Sequence, residues 1–241
     1  MRVAAIYDIH GNLPALDAVL ADVGQAGVDA IVVGGDVAWQ APPSPTVERL
    51  MELGDSAQFI LGHADVAHVR EFDLGLSPIA TPAAREQRDL LAAMAATLTL
   101  TIDGLGPTLF CHGTPRSENE RITTATPEAR LRELVAAVEE PLIVCGHTHR
   151  QFDRTVGGRR IVNPGSVGLP FEGRSGAFWA LIGPTVELRR TDYDLEAAVA
   201  WFAANQMPES FARRLEFSLL APADPDEVAQ YFEERAAGPA A

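Results

Sequence analysis

The sequence predicts an α/β protein built on a parallel sheet. Short apolar runs alternate with amphipathic helical segments, the first pair of runs closes as a β-α-β unit, and five runs stop at glycine, aspartate or histidine. A strand that ends at such a cluster delivers polar side chains to the carboxyl edge of a sheet, where α/β proteins place their ligands.

Residues 3–7 read as a buried strand, and Asp8-Ile9-His10-Gly11-Asn12 leads into a helix opening near Leu13-Pro14, with proline in its first turn. Leu13, Leu16, Val19, Leu20 and Val23 mark its buried face, and Gly24 and Gly27 end it. Residues 30–33 form the second strand, closed by Gly34-Gly35-Asp36. Past a proline-rich loop at 41–45, a short helix through Val47, Leu50, Met51 and Leu53 feeds a strand at 57–61 that ends in Gly62-His63-Ala64-Asp65. Residues 66–82 have weak periodicity and read as an irregular connection, whereas 82–97 read as a helix.

Residues 98–102 and 109–111 form a hairpin ending at His112-Gly113. A helix at 127–140 feeds the strand at 142–144, which stops at Cys145-Gly146-His147-Thr148-His149. The period then changes to two hairpins, 151–156 with 159–162 and 177–182 with 186–190. Three helical faces follow: Leu195, Ala198, Val199 and Phe202; Phe211, Leu215 and Leu219; and Val228, Tyr231 and Phe232. The main body or a second copy must cover them, so the sequence permits a homodimer. The chain reads as one domain, 1–241, in which 193–241 is a helical extension.

Composition narrows the chemistry. The formal net charge is −14, which disfavours general nucleic-acid binding while leaving room for a small anion held by local cations. All 19 basic residues are arginine, so a Schiff-base lysine and a Walker A loop are excluded. Cys111 and Cys145 each close an apolar run and read as small buried residues. The N-terminal apolar run is too short for a signal peptide and no stretch reaches membrane-spanning length, so the expected location is the cytoplasm, away from membranes.

The strand ends deliver Asp8 and His10, Asp36, His63, His112, and His147 and His149, which accounts for five of the six histidines. His68 alone falls outside and reads as a surface or structural residue. Seven N/O donors exceed what one transition metal with an open position can use, so two ions sharing a bridging carboxylate are expected. Such a pair, about 3.5–4 Å apart, stabilises both oxygens of an in-line phosphoryl displacement. Mixed imidazole and carboxylate suits manganese, iron or zinc better than magnesium or calcium. A metal-bound hydroxide would be the nucleophile.

Asp8-x-His10-Gly11-Asn12, Gly35-Asp36, Gly62-x-x-Asp65, His112-Gly113 and Gly146-His147-Thr148-His149, in that order, resemble the five signature blocks of the calcineurin-like metallophosphoesterase superfamily, and Asn163-Pro164-Gly165-Ser166-Val167-Gly168 resembles the closing loop of its small bacterial members. The resemblance implies a four-layer α/β/β/α sandwich of two mixed sheets, with Asp8, His10, Asp36 and His149 on one metal, Asp36, His63, His112 and His147 on the other, and Asp36 bridging. The third block departs from the family's usual Gly-Asn-x-Asp: His63 stands for the asparagine, and Ala64 where many members carry a histidine that assists the leaving group.

The implied function is dimetal-dependent hydrolysis of a phosphate mono- or diester, with nucleotides among the candidate substrates. Asp36, His63 and Asp65 form the expected catalytic set, Asp65 by orienting a neighbouring ligand. Asn12, Arg116 and Arg150 follow ligand blocks and are candidates to contact the substrate phosphate, the alternative for Arg116 and Arg150 being solvated loop residues. Ser166 lacks the strand–nucleophile–helix setting of a hydrolase elbow and reads as structural. The alternative is a metal-poor scaffold that keeps the fold for protein contacts.

Overall fold

Strand β1 (Val3–Ile6) pairs in parallel with β2 (Ala30–Val33), Val3 opposite Ala30 and Ile6 opposite Val33, because helix α1 (Leu13–Ala26) carries the chain back across the sheet. Asn12 caps α1 by accepting from the Ala15 N–H at 3.1 Å. The helix runs through Gly24 and stops only at Gly27, whose φ of 64° is the left-handed C-cap. Helix α2 (Pro45–Met51) leads to β3 (Ala57–Phe59), parallel to β2.

The computed structural model describes residues 1–39, 44–76, 81–205 and 218–237. Residues 41–43 of the expected loop, and the face through Phe211 and Leu215, lie outside them.

Residues 66–73, expected to be irregular, belong to helix α3 (His63–Asp73). The reason is physical: its buried residues are Asp65 and His68, so the buried face is polar and leaves no apolar period to read. Helix α4 (Pro82–Ala93) follows, then the antiparallel pair β4 (Thr97–Ile102) and β5 (Gly106–Cys111). Helix α5 (Glu128–Leu134) is shorter than expected; the chain tightens into turns beyond it, with Ala136 N–H donating to Glu133 O and Val138 N–H to Val135 O, and both valines stay buried. Strand β6 (Leu142–Val144) is parallel to β5 and to β8 (Arg159–Asn163), whose hairpin partner is β7 (Phe152–Val156). Strands β9 (Ala177–Ile182) and β10 (Val186–Thr191) return to the first sheet. The two mixed sheets therefore run β10-β9-β1-β2-β3 and β4-β5-β6-β8-β7.

Alternation along the strands builds the layers. Ala4, Ile6, Ile31 and Val33 face Leu16 and Val19 of α1, Leu50 of α2 and Leu91 of α4. Val3, Ala5, Tyr7 and Val32 point the other way, against Phe110, Leu142, Val144 and Val162 of the second sheet. Ile143, Cys145 and Ile161 pack against Leu131 and Leu134 of α5 and Val138 of the turn that follows it. The order is helices, sheet, sheet, helix, and each fully buried large side chain contributes about 1.5–3 kcal/mol. Both cysteines are free and buried.

Among the described residues, the C-terminal helices α6 (Leu195–Ala204) and α7 (Pro225–Ala237) close on the main body. Phe202 of α6 packs with Leu169 and Leu219. On α7 the inward face is Ala229 and Phe232; Tyr231, expected to share it, is 52% exposed.

Candidate metal centre

The loops after β1 and β2 lie side by side because their pairing continues past the strands. Asp8 N–H donates to Gly35 O at 3.1 Å, His10 N–H to Asp36 O at 2.9 Å and Gly11 N–H to Val37 O at 3.1 Å. The second sheet is brought to the same edge by His147 N–H, which donates to Asp8 Oδ2 at 2.9 Å, and within that sheet Gly146 N–H joins the loops after β6 and β5 by donating to His112 O at 2.6 Å. Asn163 of the closing loop donates to Gly146 O at 3.0 Å, and the Ser166 hydroxyl donates to Asp8 O at 2.7 Å, so Ser166 holds the loop. Glycine is required where the backbones meet: a Cβ on Gly146 would stand 2.4 Å from the Tyr7 ring and 2.7 Å from Asp8 Oδ2.

All seven residues delivered by the strand ends converge. Asp36, His63, His112 and His147 form one group, and Asp8, His10 and His149 the other, with the donor atoms of each within 4.8 Å of one another. Asp36 faces both: its Oδ2 lies 2.7 Å from His63 Nδ1 and 3.7 Å from His10 Nε2, and its Oδ1 3.4 Å from His112 Nε2. Asp8 Oδ1 lies 3.3 Å from His149 Nε2.

Carbonyls fix two of the rings. His112 Nδ1 donates to Gly34 O at 2.8 Å and His149 Nδ1 to Leu169 O at 2.6 Å, which leaves each Nε2 turned toward the carboxylates, able to coordinate once it carries no proton. His10 Nε2 and His149 Nε2 stand 3.1 Å apart. Two ligands on one tetrahedral ion, with bonds of about 2.0–2.1 Å, sit about 3.3 Å apart.

Electrostatics agree with ligand chemistry. Burial pushes the Asp36 carboxyl up, but His112 and His63 beside it hold it well below the ordinary range; burial likewise raises Asp8, and His149 and His112 bring it below its usual value. Burial and then the neighbouring His149 lower His10 to about 3, and burial with His112 and His63 depresses His147, so both imidazoles are neutral at pH 7. His112 is the exception: burial lowers it, but the Asp36 and Asp8 carboxylates carry it up to about 10.

Two observations separate this cluster from a set of satisfied core residues. His10 Nδ1 and both nitrogens of His147 are buried without a hydrogen-bond partner, and Asp8 Oδ1, Asp36 Oδ2 and His112 Nε2 meet only other members of the cluster, in no well-formed hydrogen bond. Among the described residues, the non-glycine residues with positive φ are Asp8, His10, Asp36, His147 and His149, at 47–67°. Every strained backbone position of that kind falls on this cluster. The donor set, in its two groups, fits divalent metal ions that accept mixed N/O ligation.

Asp65 sits behind the cluster. Its Oδ2 accepts from Asp36 N–H at 2.8 Å and Gly62 N–H at 3.0 Å, and its Oδ1 from Val37 N–H at 3.1 Å, so it fixes the loop that carries Asp36. Burial, then the Asp36 charge, raise its carboxyl to about 6.

The cluster opens into a cavity of about 340 Å³. None of the three expected phosphate contacts lines it. Asn12 is fully buried, its carboxamide nitrogen donating to Gly168 O at 3.0 Å and Tyr193 Oη at 3.1 Å; it is a helix cap. Arg116 is held outside by Glu120, Nε to Oε2 at 2.7 Å. Arg150 turns to α7, donating to Pro225 O at 2.9 Å and Asp226 Oδ1 at 2.8 Å. His68, read as surface or structural, is 7% exposed and lines the cavity beside Ala64. The cation that does line the cavity is Arg121, which follows no ligand block, with Trp39, Phe171 and Phe232 as aromatic neighbours.

Comparison with known proteins adds the following. The family model described as the calcineurin-like phosphoesterase superfamily domain matches residues 1–182. The phosphodiesterase YfcE of Escherichia coli is 28% identical over 190 residues, 75% of this chain and 87% of its own. A crystal structure titled a metallophosphoesterase, from Sphaerobacter thermophilus, is 28% identical with a TM-score of 0.70, covering 91% of this chain and 99% of its own. The hypothetical protein PH1004 of Pyrococcus horikoshii shares the fold at a TM-score of 0.75 and 20% identity, covering 89% of this chain and 97% of its own.

Proposed function

The chain belongs to the calcineurin-like phosphoesterase superfamily, hydrolases of phosphate esters, and from that premise we propose that it cleaves a small phosphate mono- or diester by in-line displacement at a centre of two divalent transition-metal ions, manganese, iron or zinc. The observation that carries the reading is the pair of donor groups sharing Asp36 as a common wall, with their buried oxygens and nitrogens unpartnered.

In this reading Asp8, His10, Asp36 and His149 hold one ion and Asp36, His63, His112 and His147 the other. When bound, the ions lower the pKa of water and neutralise charge on the phosphate. The protein's part is orientation. Gly34 O and Leu169 O aim His112 and His149, Asp65 fixes the Asp36 loop, and Arg121 adds a positive charge at the cavity wall. Ala64 brings no proton to the departing oxygen, and the ring of His68 one turn further along α3 is hydrogen-bonded to the Trp39 backbone. Esters with acidic leaving groups therefore suit this site best. The net charge of −14 and the small cavity favour a small ester over a polymer. Two thiols without a disulfide, and no described helix long and apolar enough to cross a membrane, support a cytoplasmic location.

The test is metal content of the purified chain, with turnover of p-nitrophenyl phosphate and bis-p-nitrophenyl phosphate under added manganese. About two ions per chain and turnover of one ester are expected. Less than one ion per chain with neither ester cleaved would leave the scaffold reading in its place.

A further inference from the structure

The cation at the cavity wall and the helix that braces it come from parts of the chain outside the histidine cluster. The guanidinium of Arg121 lies 5.5 Å from the centre of the Phe232 ring of α7. Its Nε is buried without a hydrogen-bond partner, and it makes no ion pair among the described residues. Other arginines do pair with carboxylates: Arg49 with Asp17 at 2.8 Å, Arg88 with Asp73 at 2.6 Å, Arg116 with Glu120 at 2.7 Å and Arg160 with Asp153 at 2.6 Å. In a chain with 33 acidic residues, a half-buried arginine turned into a cavity without a carboxylate is placed to receive an anion from outside.

Helix α7 is fastened where it can hold Arg121. Glu233, next to Phe232, accepts from Thr123 Oγ1 at 2.8 Å, Thr126 Oγ1 at 2.5 Å and Arg130 Nη1 at 3.1 Å, so the helix is tied to the segment just after Arg121. Arg150 ties the other end of the helix through Pro225 O. The ring so placed joins two others around the cavity: Phe171 lies 6.2 Å from Phe232 and stacks on His149 at 5.0 Å with 12° between planes, and Trp39 lines the same space. Helix α7 lies beyond residue 182, outside the segment that the family model matches.

Resting on the phosphoesterase reading above, we propose that Arg121, braced by Phe232, receives a substrate phosphate oxygen, and that the aromatic wall of Trp39, Phe171 and Phe232 receives a planar group on the same ester, so the ligand class is a nucleoside monophosphate ester rather than an alkyl phosphate. A guanidinium fork matches two phosphate oxygens at once, and aromatic side chains accept the face of any nucleobase. The cavity of about 340 Å³ is at the small end of small-ligand sites, which suits one nucleotide unit. Phe232 is a positioning residue for Arg121 as well as part of the wall.

The experiment titrates the manganese-loaded full chain with thymidine 5′-monophosphate and with methyl phosphate by calorimetry. Thymidine monophosphate is expected to bind on the order of tenfold to a hundredfold more tightly. Arg121→Gln should weaken both ligands on the order of tenfold or more, with Arg121→Lys recovering part of the loss. Phe232→Leu, which keeps an apolar side chain against the body, should shrink the difference between the two ligands. Equal affinity of the two monophosphates in the unaltered chain, no binding of either, or no weakening by Arg121→Gln in a chain that melts normally, overturns the proposal. Turnover of the two p-nitrophenyl esters is run in parallel. Turnover without ligand selectivity removes this inference and leaves the hydrolase reading intact, whereas selective nucleotide binding without turnover does the reverse.

Discussion

Gly62 offers a sharp test of how closely this centre is built. Its backbone, at φ −94° and ψ 165°, is one any residue adopts, so only space demands glycine. A Cβ there would stand 2.2 Å from Asp36 N, 2.3 Å from Asp36 Oδ1 and 2.9 Å from Asp65 Oδ2. Ordinary carbon contacts need about 3.5 Å, so Gly62→Ala must displace the Asp36 loop by about 1 Å. The loop cannot yield freely, because Asp36 N is bonded to Asp65 Oδ2 at 2.8 Å and Asp36 Oδ2 faces His63 Nδ1 at 2.7 Å. Overpacking of this kind costs about 1–3 kcal/mol, or about 2–12 °C in Tm for a chain this long. A 1 Å misplacement of Asp36 is expected to lower kcat/KM about a hundredfold. Thermal melts, metal content at limiting manganese and p-nitrophenyl ester kinetics read the three effects, with Gly24→Ala as control, since a Cβ there meets nothing within 4 Å. A Gly62→Ala chain matching the unaltered protein in metal content and turnover would refute the reasoning.

Asp65→Asn replaces a carboxylate that accepts three backbone N–H groups with an amide that presents one oxygen, so stability should fall by about 1–3 kcal/mol per N–H left unpaired, measured by urea unfolding; a loss under 1 kcal/mol would mean that water replaces those bonds. Metal uptake should also release protons. His112 is raised to about 10, with burial opposing and Asp36 favouring its proton, so at pH 7 the metal-free chain holds that proton and an entering cation must displace it. The sign follows. Stability from this raised group is full below its unfolded value of about 6.5 and is lost as pH climbs through about 10, while metal affinity rises with pH over the same window. Manganese affinity that is flat between pH 6 and 9, by calorimetry, would contradict it.

The seven clustered residues were legible because each lies within five residues of the end of its strand, and the strand end fixes the sheet edge they reach before any tertiary contact is known. Neighbouring residues gave false leads for the same local reason. His149 sits in a left-handed turn beyond its strand, and from it Arg150 turns away toward α7. Asn12 precedes a Leu-Pro helix start, which is a capping signal as strong as its place in the first block. Helix α3 escaped periodicity because its buried face is Asp65 and His68. Arg121 could not be found from its own surroundings, since its placement depends on Phe232 near the far end of the chain. The layered order of the sheets also exceeded local pattern, because β9 joins β1 only after the chain has completed the second sheet.

A cluster of buried histidines can serve packing alone, and the backbone argues against that here. Left-handed conformation costs roughly 1–2 kcal/mol for a residue with a Cβ, less for aspartate and histidine than for branched residues, and five such positions sit together. Their sum, on the order of 5 kcal/mol, rivals the lower end of the stability of a whole domain. Buried unpartnered atoms on Asp8, Asp36, His112 and His147 add to the deficit. Hydrophobic residues in relaxed turns would close the same sheet edge with less strain, so folding gives no reason for the arrangement. Binding does: a cation that engages these atoms only in the folded chain restores stability in proportion to its affinity, and the backbone angles that burden the loops are the ones that turn five side chains toward a common centre. The burden and the converging donors thus have one cause, which is why the unpartnered atoms and the strained residues occur at the same place in the chain.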